Sequence, residues 1–158
     1  EGDQYTFQGL KKMVQKNVIL GDGSQNISLI STDDYAEIML DLVDYIYNHK
    51  DKEEKIEALN IGYKTPIKMN AMVDVICKHE DLRWPNKIIK ANPLLLFLLK
   101  TLPIKSLKRL AYEIELTGLS HYGSVKKLET FIGSSITEKD PVSVFEEEYK
   151  KFKNESVK

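Results

Sequence analysis

Cysteine occurs once in this chain of 158 residues, at Cys77. No intramolecular disulfide can form, and a reducing compartment is the natural expectation. Histidine is nearly as scarce, with only His49, His79 and His121. A structural zinc ion needs four Cys or His ligands. On a helix, Cys77 and His79 point about 200° apart. No metal site is therefore expected; Cys77 reads as core and His79 as a cation at a helix end. The longest apolar run, Leu94–Leu99, has six residues, against the roughly 20 that a membrane span needs. No charged segment leads into an apolar one near the start, so neither a membrane segment nor a secretory leader is expected. The chain opens on Glu1 rather than Met, which suits a piece of something longer. A formal net charge of −1 supplies no global positive field, so any nucleic-acid contact would need a local patch.

What is present is helical punctuation. Thr65-Pro66, Asn92-Pro93 and Asp140-Pro141 each put a capping side chain before a proline. The side-chain oxygen can accept a free N–H at a helix start, where proline has no N–H to lose. Together with Pro103, these pairs predict helices over 66–79, 93–101, 103–117 and 141–153. Gly118 is placed to close the third of these as a C′ glycine. Thr32 followed by DDYAEIMLDLVDYIYNH predicts a capped helix with acids in its first turn. Its residues Ile38, Leu42, Val43, Ile46 and Tyr47 recur at helical spacing. Ser124 could cap a helix over 125–132, and residues 5–17 could form another. GDGSQN (21–26) reads as a turn-rich loop and HKDKEEK (49–55) as a solvated charge run. ISLIS (27–31) could be a strand, but it would have nothing to pair with. The expectation is an all-α protein, a small multi-helix bundle. A boundary near residue 60 would separate an N-terminal helical part, 1–60, from a C-terminal docking domain, 61–158.

Catalytic constellations are missing from this reading. GDGS lacks the Lys-Ser/Thr pair of a P-loop and the third glycine of a dinucleotide fingerprint. Asp33, Asp34 and Glu146–Glu148 cluster at helix starts, where the helix dipole accounts for them. Neither an enzyme nor a cofactor, metal or small-molecule ligand is expected.

The informative stretch is residues 91–138. Leu94 to Leu99 leave the 93–101 helix without a polar face. Such a helix is either enclosed by its neighbours or shared between a core and an interface. Downstream, Leu107, Leu110, Gly118, Leu119, Gly123, Lys126, Lys127 and Leu128 resemble the SAP module, a two-helix DNA binder. On that resemblance Lys105, Lys108, Arg109, Lys126 and Lys127 would meet phosphates, giving salt-sensitive affinity; otherwise they are ordinary wet surface.

A second resemblance covers more of the segment. Pro93–Leu99 with Lys100-Thr101-Leu102-Pro103 forms its first block. Leu107, Leu110, Ile114, Gly118 and Leu119 form its second, and Leu128, Phe131, Ile132, Ile136 and Thr137 its third. These resemble the C-terminal conserved domain of the scaffold subunit of the SLX structure-specific endonuclease. Gly133 departs from that pattern where an aspartate is usual, and Leu102 where a tyrosine often stands. The resemblance implies a non-catalytic nuclear protein of DNA repair and recombination. Such a protein binds and activates a GIY-YIG nuclease subunit, through that partner's zinc-bearing C-terminal domain, and reaches branched DNA through the complex. Leu95, Phe97, Leu98, Leu102, Leu107, Phe131 and Ile132 are then the candidate partner-binding residues. A third possibility is a homo-oligomer in which the apolar helix meets its own copy.

Overall fold

A computed structural model describes residues 4–49, 58–90 and 92–155. The described residues are mostly helical. In chain order they form α1 (Gln4–Gln15), β1 (Val18–Leu20), β2 (Asn26–Ile27), α2 (Thr32–Asn48), β3 (Ile67–Lys68), α3 (Met69–Glu80) and β4 (Lys87–Ile89). The chain continues through α4 (Pro93–Thr101), α5 (Lys105–Gly118), α6 (Lys126–Ile132) and α7 (Pro141–Glu155). Much of the charge run at 49–55 lies outside the described residues.

The chain divides into two compact units. Unit 1 takes the described residues of Asp3–Ile27 together with Lys68–His121. Unit 2 takes those of Ser28–Ile67 and Tyr122–Lys158. Both units are discontinuous in sequence, and residue 60, the expected boundary, falls inside unit 2.

Unit 1 is built around a short parallel strand pair that an all-α reading omits. Val18, Ile19 and Leu20 of β1 lie in register with Lys87, Ile88 and Ile89 of β4. Asn17, in a left-handed conformation with φ 58°, turns out of α1 and clamps one end of the pair. Its side-chain amide donates to Asn86 Oδ1 at 2.6 Å, and its Oδ1 accepts from Asn86 N at 2.8 Å. Gly21 N extends the ladder at the other end, donating to Ile89 O at 2.8 Å. Leu10 and Val14 of α1, Ile19 of β1, and Met72, Val73 and Ile76 of α3 supply buried side chains.

Helix α3 starts later than its Thr65-Pro66 signal. Residues 67–68 stay extended, and Lys68 is the N-cap without a side-chain cap bond. The free N–H groups are satisfied from a distant loop instead. Met69 N donates to Gln25 O at 3.1 Å and Asn70 N to Gly23 O at 2.9 Å. The left-handed Gly21 and Gly23, φ 80° and 83°, hold that loop in place.

In unit 2, Ile38 and Leu42 of α2 meet Leu128 of α6 and Ile136, with Ile30, Leu59, Ile61, Phe131 and Ile132 packed around them. Phe145, Tyr149 and Phe152 are the buried stripe of α7. Asp140 caps that helix as expected, accepting from Ser143 N at 3.0 Å. The cap of α2 is Ser31 rather than Thr32; its Oγ accepts from Asp34 N at 3.1 Å. Glycine closes α6, not α5. Gly133, φ 79°, is the C-cap of α6, while Gly118 is the last helical residue of α5 and has no positive φ.

A buried polar group fixes which face of α2 points inward. The Asp34 carboxylate accepts from Tyr63 Oη at 2.5 Å and from Lys139 Nζ at 2.6 Å. Tyr63 Oη in turn accepts from Ser31 N at 3.2 Å. Burial alone would raise the Asp34 carboxyl, but hydrogen bonds from Lys139, Tyr63 and Ser31 outweigh it and hold the group below its ordinary value of 3.8. Burial and the neighbouring carboxylate push the Tyr63 phenol up to about 12. A depressed carboxyl adds stability that is complete above its unfolded value and is lost as pH falls toward the folded one. Tyr63→Phe should cost about 1–3 kcal/mol, because Asp34 and Ser31 each lose a partner. Asp34→Asn should also flatten the fall in stability between neutral pH and acid, which urea unfolding at the two pH values would measure.

Candidate protein-docking face

Helix α4 starts as its sequence signals. Pro93 is the first helical residue and Asn92 Oδ1 accepts from Leu94 N at 2.9 Å. Nine residues long, it is joined to α5 by the Leu102-Pro103-Ile104 corner. Proline 103 cannot extend α4, and α5 begins two residues after it, with Ile104 as N-cap. The two helices pack together within unit 1. Leu96, 7% exposed, meets Ala111 and Ile114 of α5, with Leu20 and Leu99 alongside. Lys100 Nζ bonds Glu115 Oε2 at 2.5 Å and lies 5.1 Å from the centre of the Tyr112 ring.

One side of α4 is thereby used. On a helix that turns about 100° per residue, Leu94 and Leu98 fall opposite Leu96, and Phe97 about 100° to one side of it. Leu94 is 68% exposed, Phe97 64% and Leu98 51%. Leu95, Leu102, Ile104 and Leu110 extend the exposed apolar surface along the corner and the edge of α5. The second side of the all-apolar helix is open, and Phe97 lies exposed at its edge.

The other named residues fall as follows. Leu107 is half-buried on α5. Phe131 and Ile132 belong to unit 2, where they pack against the Ile38–Leu128 cluster; the Phe131 ring meets Tyr45 edge-on at 5.0 Å. Lys105, Lys108 and Arg109 lie exposed on α5, and Lys126 and Lys127 exposed on α6. The two helices of the SAP-like pattern are assigned to different units, because the division falls between His121 and Tyr122. Val125 is the N-cap of α6 and makes no side-chain cap bond, while Ser124 one residue earlier reaches the helix start, its Oγ accepting from Lys126 N at 3.4 Å.

Sequence reading missed a second apolar face, on α2. Around the helix Ile46 lies beside the Ile38–Leu42 stripe, and Val43 and Tyr47 turn progressively away from it. With Tyr35, Met39 and Leu40 they are exposed, Leu40 at 67% and Tyr47 at 66%. The available signal was that apolar residues occupy too much of this helix's circumference for one core stripe. An open cavity of about 330 Å³ in unit 1 is lined by Gly21, Asp22, Ser24, Gln25, Lys90 and Ser120, among others. Its polar groups serve the loop itself. Ser24 donates to Asp22 through N at 2.9 Å and Oγ at 2.5 Å, and holds that carboxyl below its ordinary value.

Cys77 is half-buried, and burial raises its thiol. Among the described residues no group of three or more His, Cys, Asp or Glu could hold a metal ion. No described helix is long and apolar enough to cross a membrane. No protein-family model, curated protein or solved structure matches the chain.

Alanine substitution separates the two sides of α4. Leu96→Ala should cost about 2–5 kcal/mol, as a buried Leu truncation does. Phe97→Ala should leave the thermal midpoint within the range of surface changes, about ±0.5 kcal/mol. Calorimetry on the two variants checks the contrast, and equal losses would place Phe97 in the core.

Proposed function

We propose that this chain is a non-catalytic docking protein whose α4–α5 face in unit 1 seats another protein. The supporting observation is the stripe of Leu94, Phe97 and Leu98 on a helix whose opposite side is already buried by α5. Contiguous exposed apolar surface of this kind marks contact sites. Each large side chain covered by a partner contributes roughly 1.5–3 kcal/mol.

The partner follows from the resemblance of residues 91–138 to the SLX scaffold domain. On this reading the chain binds and activates a GIY-YIG nuclease subunit in the nucleus, and reaches branched DNA in repair and recombination through that complex. Leu95, Phe97, Leu98 and Leu102 are the anchors, with the half-buried Leu107 of α5 a further candidate. Phe131 and Ile132 serve the interior of unit 2 and are secondary candidates.

The SAP-like reading has less support, since its two helices fall in different units and its five basic residues are divided between them. It makes a distinct demand. DNA affinity should drop steeply between low and physiological salt and vanish on Lys126→Glu with Lys127→Glu.

Light scattering on a gel-filtration column, with the chain mixed with a GIY-YIG nuclease subunit, tests the docking reading. A one-to-one complex is expected. Phe97→Ala should weaken it about tenfold or more, as loss of a central aromatic anchor does. A chain that ignores the nuclease at high concentration would remove this partner from consideration.

A further inference from the structure

The chain carries two open apolar faces of opposite electrostatic character, one in each unit. On α2, Met39, Leu40, Val43 and Tyr47 form an outward strip; Asp33, Glu37 and Asp44 project along one border of it at helical spacing, where Lys151 pairs with Asp33 at 3.4 Å and Lys139 faces Glu37, so that acids outnumber bases there. This helix carries five acids and no Lys or Arg. From Pro93 to Tyr112, the α4–α5 corner carries four bases, Lys100, Lys105, Lys108 and Arg109, and no acid. Its apolar stripe is Leu94, Phe97 and Leu98.

We infer that the α2 face of one copy seats the α4–α5 face of a second copy, so that the chain associates head to tail with itself. Charge selects this pairing over the two symmetric ones. Placing α2 against α2 would set acids against acids, and placing α4–α5 against its own copy would set bases against bases. Like-charge juxtaposition across an interface is strongly disfavoured. Only the heterologous arrangement covers both apolar strips with opposite charges at the rim. Each copy of a pair then keeps one face open, α4–α5 on the first and α2 on the second, and a heterologous contact propagates to rings or chains of copies. A second copy and the nuclease subunit would compete for the same α4–α5 face; the test uses this chain alone, so its failure is distinct from failure of the nuclease reading.

The experiment is sedimentation or light scattering across a range of concentrations, with the parent and two charge-reversed variants. One variant is Glu37→Lys with Asp44→Lys; the other is Lys105→Glu with Lys108→Glu. Circular dichroism confirms that each is folded. Glu37 also acts on Lys139 electrostatically, so Asp44→Lys alone replaces the first variant if the double change unfolds unit 2. The parent mass should rise above 18.2 kDa with concentration. Each variant alone should need roughly tenfold more protein or greater to associate, having like charges on both faces. An equimolar mixture of the two should assemble again, because each reversed face meets its complement on the other variant. A parent that stays at 18.2 kDa throughout, variants that associate like the parent, or a mixture no heavier than its components would each overturn the inference.

Discussion

Two helices of this chain carry more apolar surface than their neighbours within each unit cover, and most of the molecule's character follows from that constraint. A helix packed on one side by a single partner buries a stripe of roughly 100° or a little more. In α4 every residue from Leu94 to Leu99 is large and apolar, and α5 with β1 accounts only for the side holding Leu96 and Leu99. In α2 the cluster with α6 takes Ile38 and Leu42, and Val43, Ile46 and Tyr47 remain outside. Neither face could be polar without changing residues that make no contribution to the interior. Exposed leucines such as Leu40, Leu94 and Leu98 leave most of their area outside the cores, where surface of this kind serves contacts.

Hydrophobicity alone does not decide which side of such a helix faces inward, since both sides would bury well. In α2 the decision is polar. Asp34 is 5% exposed and is acceptable there because Tyr63, Lys139 and the Ser31 cap satisfy it. Rotating α2 to bury Val43 and Tyr47 would strip the carboxylate of those donors, at a cost of about 1–3 kcal/mol or more for a charged group. In α4 the corresponding device lies at the end of the helix. Lys100 reaches Glu115 on α5, a partly exposed pair consistent with the register in which Leu96 meets Ala111.

These distinctions explain what could be read from the sequence. Asn92-Pro93 and Asp140-Pro141 were legible because their capping bonds close within three residues. Thr65-Pro66 misled for the opposite reason, since the N–H groups at the start of α3 are satisfied by the backbone of Gly23 and Gln25, which no local pattern announces. The β1–β4 pair was hidden by its brevity. Three residues are too few for a period, and the clamp that sets its register joins Asn17 to Asn86. The open face of α4 was visible as a question, because a six-residue apolar run has no polar side. The open face of α2 was not, because its apolar residues fan continuously around the helix, from the buried Ile38 and Leu42 through Ile46 to Val43 and Tyr47, with no polar break to mark where the core stripe ends.

The borders of the two faces carry information that their apolar centres do not. Leucine and phenylalanine set how much surface wants covering, with little discrimination among partners. Specificity comes from the charges that must not be left against like charges. Along α2 the acids outnumber the lysines that reach them, and at the α4–α5 corner the bases between Pro93 and Tyr112 outnumber Glu115, which pairs with Lys100. A formal net charge of −1 for the whole chain conceals this separation, which is why composition gave no hint of it. An apolar face with a border of one sign rejects its own image and admits its opposite. A chain that holds both kinds has placed the means of choosing a partner at the rims of its two contact surfaces.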